Sequence, residues 1–146
     1  GPDANGYLAV TREWRSGDEV RYVMDMPVET VWANPAVRQL EGRFAVQRGP
    51  IVYCLEGVDH GNIVLDRIAV DPAIVPNWTV EYKPDLLGGV NVLRGQGRAI
   101  AAEGWGDALY RSGPAPEETP VDITAIPYCV WDNRQPGEMR VWLRAA

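Results

Sequence analysis

Few residues in this sequence could do chemistry, and their spacing limits what each could do. Acids occur close together at Glu117-Glu118 and at Glu103 with Asp107. Glycoside cleavage needs two carboxylates held across a sugar, one of them kept protonated. Both pairs fall in a stretch rich in Gly and Pro, so the expectation is a solvated loop. His60 is the only histidine and follows Asp59. No partner serine is fixed at strand-turn spacing, so His60 reads as a surface-loop residue rather than half of an acid–base dyad. Cys54 and Cys129 each sit in an apolar run and read as buried thiols acting as small hydrophobes, with one disulfide between two core strands as the alternative. One histidine and no Cys-x-x-Cys spacing give no reason to expect a metal site. Gly95-Gln96-Gly97 lacks the third glycine and the following helix of a phosphate loop, and reads as a turn.

Two aromatic groups carry more weight. The chain has six Trp against one Phe, and Trp brings a polar handle that Phe lacks. Trp105, with Asp107 and Tyr110 close by, could stack and hydrogen-bond a sugar. The plainer expectation is that Trp105 plugs the end of its own domain or meets a neighbouring one. Asn133-Arg134 follows Trp131. Arg134 could grip a carboxylate with two parallel bonds. The plainer reading is that Asn133 caps a turn and Arg134 holds a loop or a domain contact.

The elements that would position these residues are short strands. Tyr7–Trp14 and Glu19–Met26 alternate around Arg15-Ser16-Gly17-Asp18 and predict a hairpin. Val28–Trp32 predicts a strand, with a helical turn expected within Pro35–Leu40. Arg43–Gln47 and Ile51–Leu55 flank Gly49-Pro50 as a second hairpin, with Phe44 and Val46 inward. The run Ile51–Leu55 fits a strand buried on both faces. Ile63–Val70 reads as a strand or a brief turn. Trp78–Tyr82, Val90–Leu93, Arg98–Ala102 and Val121–Ile126 follow as strands, with a long loop over Glu103–Glu118. Ile126–Arg134 reads as a core strand ending in a turn. Met139–Arg144 alternates as a last strand, with Met139, Val141 and Leu143 on one face. No segment sustains a helical period. About ten short strands with regular turns make an all-β fold, a mostly antiparallel, jelly-roll-like sandwich with little helix.

The totals agree. A chain of 146 residues with 46% apolar residues can bury a real core. A net charge of −6, with Lys83 the only lysine, argues against nucleic-acid or anionic-membrane partners. No stretch approaches the ~18 apolar residues of a membrane span. Free thiols lean toward a reducing, cytoplasmic setting. A start at Gly1-Pro2 without Met is expected of a piece cut from a longer polypeptide.

Arg48-Gly49-Pro50-Ile51-Val52-Tyr53-Cys54-Leu55-Glu56 resembles the "RGPLVYCLE" segment of glycoside hydrolase family 127, the β-L-arabinofuranosidase-like enzymes. Ile126–Arg134 with Gly137-Glu138-Met139 and Val141-Trp142 resembles that family's "IPYYAWANRGPGEMQVWL" ending, with Cys129 and Asp132 in place of Tyr and Ala. Tyr7–Val28 resembles its middle region. The resemblance implies an N-terminal (α/α)6 barrel elsewhere in a parent enzyme, where a cysteine nucleophile and a glutamate act with zinc held by Cys and Glu. Cys54 and Cys129 do not match those positions, so the resemblance implies no catalytic residue and no cofactor in this chain. It implies that residues 1–33 are the terminal hairpin of a middle β-sandwich and residues 34–146 the C-terminal β-sandwich. Such a domain braces the catalytic barrel and can contribute to a homodimer. Tyr53, Tyr128, Trp131, Asn133, Arg134 and Trp142 are then expected in structural or interface roles. A carbohydrate-binding module using Trp105, Tyr110 and Asp107 is the alternative.

Overall fold

The structure, a computed structural model, describes residues 2–61, 63–101 and 104–146. The strands are β1 (Val28–Trp32), β2 (Arg43–Arg48), β3 (Ile51–Glu56), β4 (Ile68–Val70), β5 (Thr79–Lys83), β6 (Val90–Ile100), β7 (Glu118–Pro127), β8 (Met139–Arg140) and β9 (Leu143–Ala145). The helical pieces among the described residues are 3-10 turns of three to six residues. The all-β expectation holds.

The strands make a sandwich whose ladders join at both edges. β2 pairs β9, β9 pairs β4, β4 pairs β6, β6 pairs β7, β7 pairs β3 and β3 returns to β2. Every pairing is antiparallel except β4 with β9. β1 extends β2 and β5 extends β6. Closure removes most open edges, which is one way an all-β domain avoids pairing with strangers.

Alternation along the strands fills the interior. Phe44 and Val46 of β2, Tyr53 and Leu55 of β3, Leu93 of β6, Ile123 and Ala125 of β7 and Leu143 of β9 share one core. Cys54, Val92 and Ile126, on the opposite faces of their strands, make a second layer covered by Trp131, Met139 and Val141. The second half of β3, from Tyr53 on, is therefore buried on both faces, as its apolar run suggested, while Val52 is exposed. The β2–β3 hairpin closes at Arg48↔Ile51, leaving Gly49-Pro50 as a two-residue loop. Gly49 takes φ +55 at the first loop position, where a hairpin turn of the II′ kind wants glycine.

Four sequence expectations need correction. Gly95-Gln96-Gly97 is not a turn. It lies inside β6 and pairs with Ile123, Asp122 and Val121 of β7. The glycines are there for close approach: a Cβ on Gly95 would stand 2.2 Å from the Trp78 indole, and one on Gly97 2.9 Å from the Ala69 carbonyl oxygen. The Tyr7–Met26 hairpin forms its turn but not its ladder. The Asp18 N–H donates to the Arg15 carbonyl at 3.1 Å, and the Asp18 carboxylate accepts the Arg15 N–H at 2.8 Å. No strand pairing follows, because two strands without a third or a core beneath them are marginal. Ile126–Arg134 is not one strand: β7 ends at Pro127 and Tyr128–Val130 is a 3-10 turn. The last strand divides into β8, paired with β3, and β9, paired with β2 and β4. Its two halves find different partners, so the chain bends at Val141-Trp142.

β1 pairs β2 over five residue pairs, Val28↔Arg48 to Trp32↔Phe44. The expected division at 33/34 falls beyond this ladder. Asn62, Ala102 and Glu103 lie outside the described residues. So do the strand end expected at Ala102 and the acid pairing expected of Glu103 with Asp107.

Candidate functional site

The polar centre of the domain gathers where β3 ends. Glu56, the last residue of β3, is 5% exposed and accepts hydrogen bonds from the Asp132 backbone N–H (2.9 Å) and from Arg134 Nε (3.0 Å). The Arg134 Nη2 group also bonds Glu56, and Arg134 donates twice to Asp59, at 2.8 Å and 2.6 Å. A planar guanidinium matches two carboxylates in this way, where a point charge could not. The Asp59 and Glu56 bonds hold Arg134 charged, well above its ordinary range. Asp132 reaches Glu56 with φ +60, a conformation that Asp tolerates better than most residues. Asn133 ties the same turn by donating to the Val130 and Trp131 carbonyls.

His60 adjoins this cluster and is buried, not on the surface. Nε2 accepts the Thr124 backbone N–H at 3.3 Å, and Nδ1 lies 2.7 Å from the Glu56 carbonyl oxygen. Only the neutral tautomer with hydrogen on Nδ1 satisfies both bonds. The ring stands in for a rung of the β3–β7 ladder beyond the point where β3 leaves. The expectation of a loop histidine failed because the sequence does not show that this loop folds back over β7.

The two thiols also part company. Cys54 is buried and Cys129 exposed, and both are free. Burial, then the Glu56 charge, pushes the Cys54 thiol up to about 12, so it is an inert apolar group. The expectation of two buried thiols therefore fails at Cys129, which lies in the 3-10 turn rather than in a strand. Tyr53 is 1% exposed and its hydroxyl finds no partner among the described residues. Burial raises its pKa, with the Arg48 charge pulling the other way.

Two surface concavities are bordered by Trp105 and by Tyr128 and Trp142. Trp105 borders the first, with the Arg111 guanidinium carbon 4.4 Å from its ring centroid. That cation covers one face of the indole. Tyr110 is 91% exposed and Asp107 is exposed. The second, a cleft of about 660 Å³, opens at the β8–β9 bend. Val52, Tyr128, Val141 and Trp142 contribute its apolar walls, and Arg43, Asp66 and Arg140 its polar side. Asp66 accepts two bonds from Arg140 (2.9 Å and 2.6 Å) and one from Arg43 (3.3 Å). The Arg140 bonds, with Arg43 adding to them, hold the Asp66 carboxyl down at about 2. Tyr128 stacks on Trp131, centroids 6.1 Å apart and planes at 22°. Sequence reading named Tyr128 and Trp142 but missed Arg43, Asp66 and Arg140, which meet from three distant segments.

Among the described residues, the Glu56–Asp59–Arg134 cluster does not have the layout of a paired-carboxylate hydrolytic centre. Its carboxylates are neutralised by Arg134, and neither is placed across open space from a second acid. Among the described residues no three of His, Cys, Asp and Glu converge where a metal ion could sit. Among the described residues no helix is long and apolar enough to cross a membrane.

The sequence profile of the glycoside hydrolase family 127 C-terminal domain matches residues 28–144. The chain belongs to that family. It is 36% identical over 141 residues to the non-reducing end β-L-arabinofuranosidase of Bifidobacterium longum subsp. longum, covering 94% of this chain and 21% of that protein. The crystal structure of a family 127 β-L-arabinofuranosidase from Geobacillus stearothermophilus T6 superposes with a TM-score of 0.74 at 40% identity, over 83% of this chain and 18% of that one. A solved glycoside hydrolase matches the whole chain with a TM-score of 0.81 at 37% identity, over 24% of its own length. The chain thus spans about a fifth of the curated relative it matches. The family 127 match starts at the first residue of β1 and includes the Glu56–Asp59–Arg134 cluster.

Proposed function

We propose that this domain is a non-catalytic brace of a β-L-arabinofuranosidase-like glycoside hydrolase, packed against the catalytic barrel of the same polypeptide. The barrel, with its zinc, supplies the chemistry. Residues 7–26 reach out of this domain and complete the sheet of the neighbouring β-domain as a hairpin. Contact with a second subunit would use the same kind of apolar surface.

The supporting observation is the exposure of that segment. Tyr7, Leu8, Val10, Trp14, Val20, Tyr22, Val23 and Met24 are between 51% and 76% exposed. Apolar residues with strand alternation and a ready-made turn are arranged to join a sheet, and contiguous apolar exposure of this kind marks an interaction surface. Hydrogen exchange tests it. In this chain alone the amides of residues 7–26 should exchange close to the unprotected rate. In the longer parent polypeptide they should be slowed by at least about a hundredfold, as ladder hydrogen bonds require. Fast exchange in both settings would defeat the proposal. Turnover of an aryl β-L-arabinofuranoside by this chain alone would defeat its non-catalytic part.

A further inference from the structure

Beyond the bracing role, and independently of it, we propose that the cleft at the β8–β9 bend binds a short saccharide. It is a shallow, open groove with about 660 Å³ of space, against the roughly 300–1,000 Å³ usual for small-molecule sites. Its chemistry is divided as a sugar is divided. A sugar ring offers a face of C–H groups and an edge of hydroxyls. Here Tyr128 and Trp142, with Val52 and Val141, supply apolar walls, and Arg43, Asp66 and Arg140 supply donors and acceptors.

The polar groups are held before any ligand arrives. Arg140 grips both Asp66 oxygens, and its third nitrogen donates to the Met139 carbonyl at 2.9 Å. Arg43 donates to Asp66 and to the Trp142 carbonyl at 3.2 Å. Each guanidinium keeps N–H groups, and Asp66 Oδ2 keeps a lone pair, for hydroxyls. Little side-chain freedom remains to be lost on binding. The stack on Trp131 fixes Tyr128 in the same way. Asp66 stays ionised at neutral pH and offers its charge to sugar hydroxyls as an acceptor.

The test is titration of the intact chain with arabino-oligosaccharides and xylo-oligosaccharides, followed by calorimetry and by amide chemical shifts. Saturable binding is expected, with the largest shifts at Val52, Asp66, Tyr128 and Val141. Tyr128→Ala should weaken it by about tenfold or more, while Tyr128→Phe, which keeps the ring, should stay within about threefold of the parent. Asp66→Asn, which keeps the shape but loses the charge that holds Arg43 and Arg140, should also weaken it. Trp105→Ala should leave binding intact. Three results would overturn the proposal: no saturable binding to either series, binding lost in Trp105→Ala but kept in Tyr128→Ala, or a cleft closed to sugar in the parent polypeptide by its own residues.

Discussion

Arg134 is the residue on which the end of β3 depends. Its side chain is 16% exposed, and the carboxylates it faces are 6% and 17% exposed. A buried carboxylate and a half-buried one sharing one cation are stable only while the cation is present. Arg134→Ala should cost on the order of 3 kcal/mol of unfolding free energy, because the charges left behind lose their partner in a poorly solvated place. Arg134→Lys should recover only part, lacking the planar fork. Urea denaturation of the two variants checks this, and a loss below about 1 kcal/mol would mean the cluster behaves like a surface ion pair. The thiols give a second test at this scale. A thiol reagent at mild alkaline pH should label one cysteine, Cys129, in the native chain and both in denaturant. Cys54, 1% exposed and with its pKa pushed up, should not react until the domain opens.

β6 shows what a strand owes to its neighbours. Gly95 lies flat under the Trp78 indole, which leads into β5, and Gly97 lies against Ala69 of β4 and Ile123 of β7. Gly95→Ala should therefore displace Trp78 and cost about 1–3 kcal/mol, as overpacking does. Thermal unfolding checks it, and a neutral or stabilising result would show that the indole can shift freely. The same glycines explain why β6 was illegible as one strand. Gly-x-Gly has the same composition whether it turns a chain or lets two surfaces touch, and only the opposite surface decides. The β2–β3 hairpin was legible because Gly49-Pro50 sets its own geometry, with no help from distant residues. The β8–β9 division was not, since Met139–Arg144 alternates regularly and the bend depends on which strands its halves meet. The Asp66 site and the His60 rung were hidden for the same reason: the Asp66–Arg140 and His60–Thr124 bonds each join residues more than 60 apart in sequence.

At the scale of the whole molecule, the question is where the self-sufficient unit begins. All buried apolar residues of the described chain lie at or after Val28. Ahead of it, Met26 touches Gly49, its Cε 2.9 Å from where a Cβ would sit, and the preceding residues are exposed. Deleting residues 1–25 should therefore leave the core whole, and the thermal midpoint should stay within about 2 °C of the parent chain. Deleting residues 1–33 is a different operation. It removes β1, whose Val28 is buried and whose Trp32 packs on Phe44 with ring centroids 5.5 Å apart, and it bares the edge of β2. That deletion should lower the midpoint by roughly 5 °C or more, since it opens the core beside Phe44 and leaves a strand edge unpaired. Calorimetry of the two truncations side by side locates the boundary. A large loss from the shorter deletion would mean that the Tyr7–Met26 segment belongs to this domain. Equal midpoints in both would move the boundary to 33/34, beyond the β1–β2 ladder.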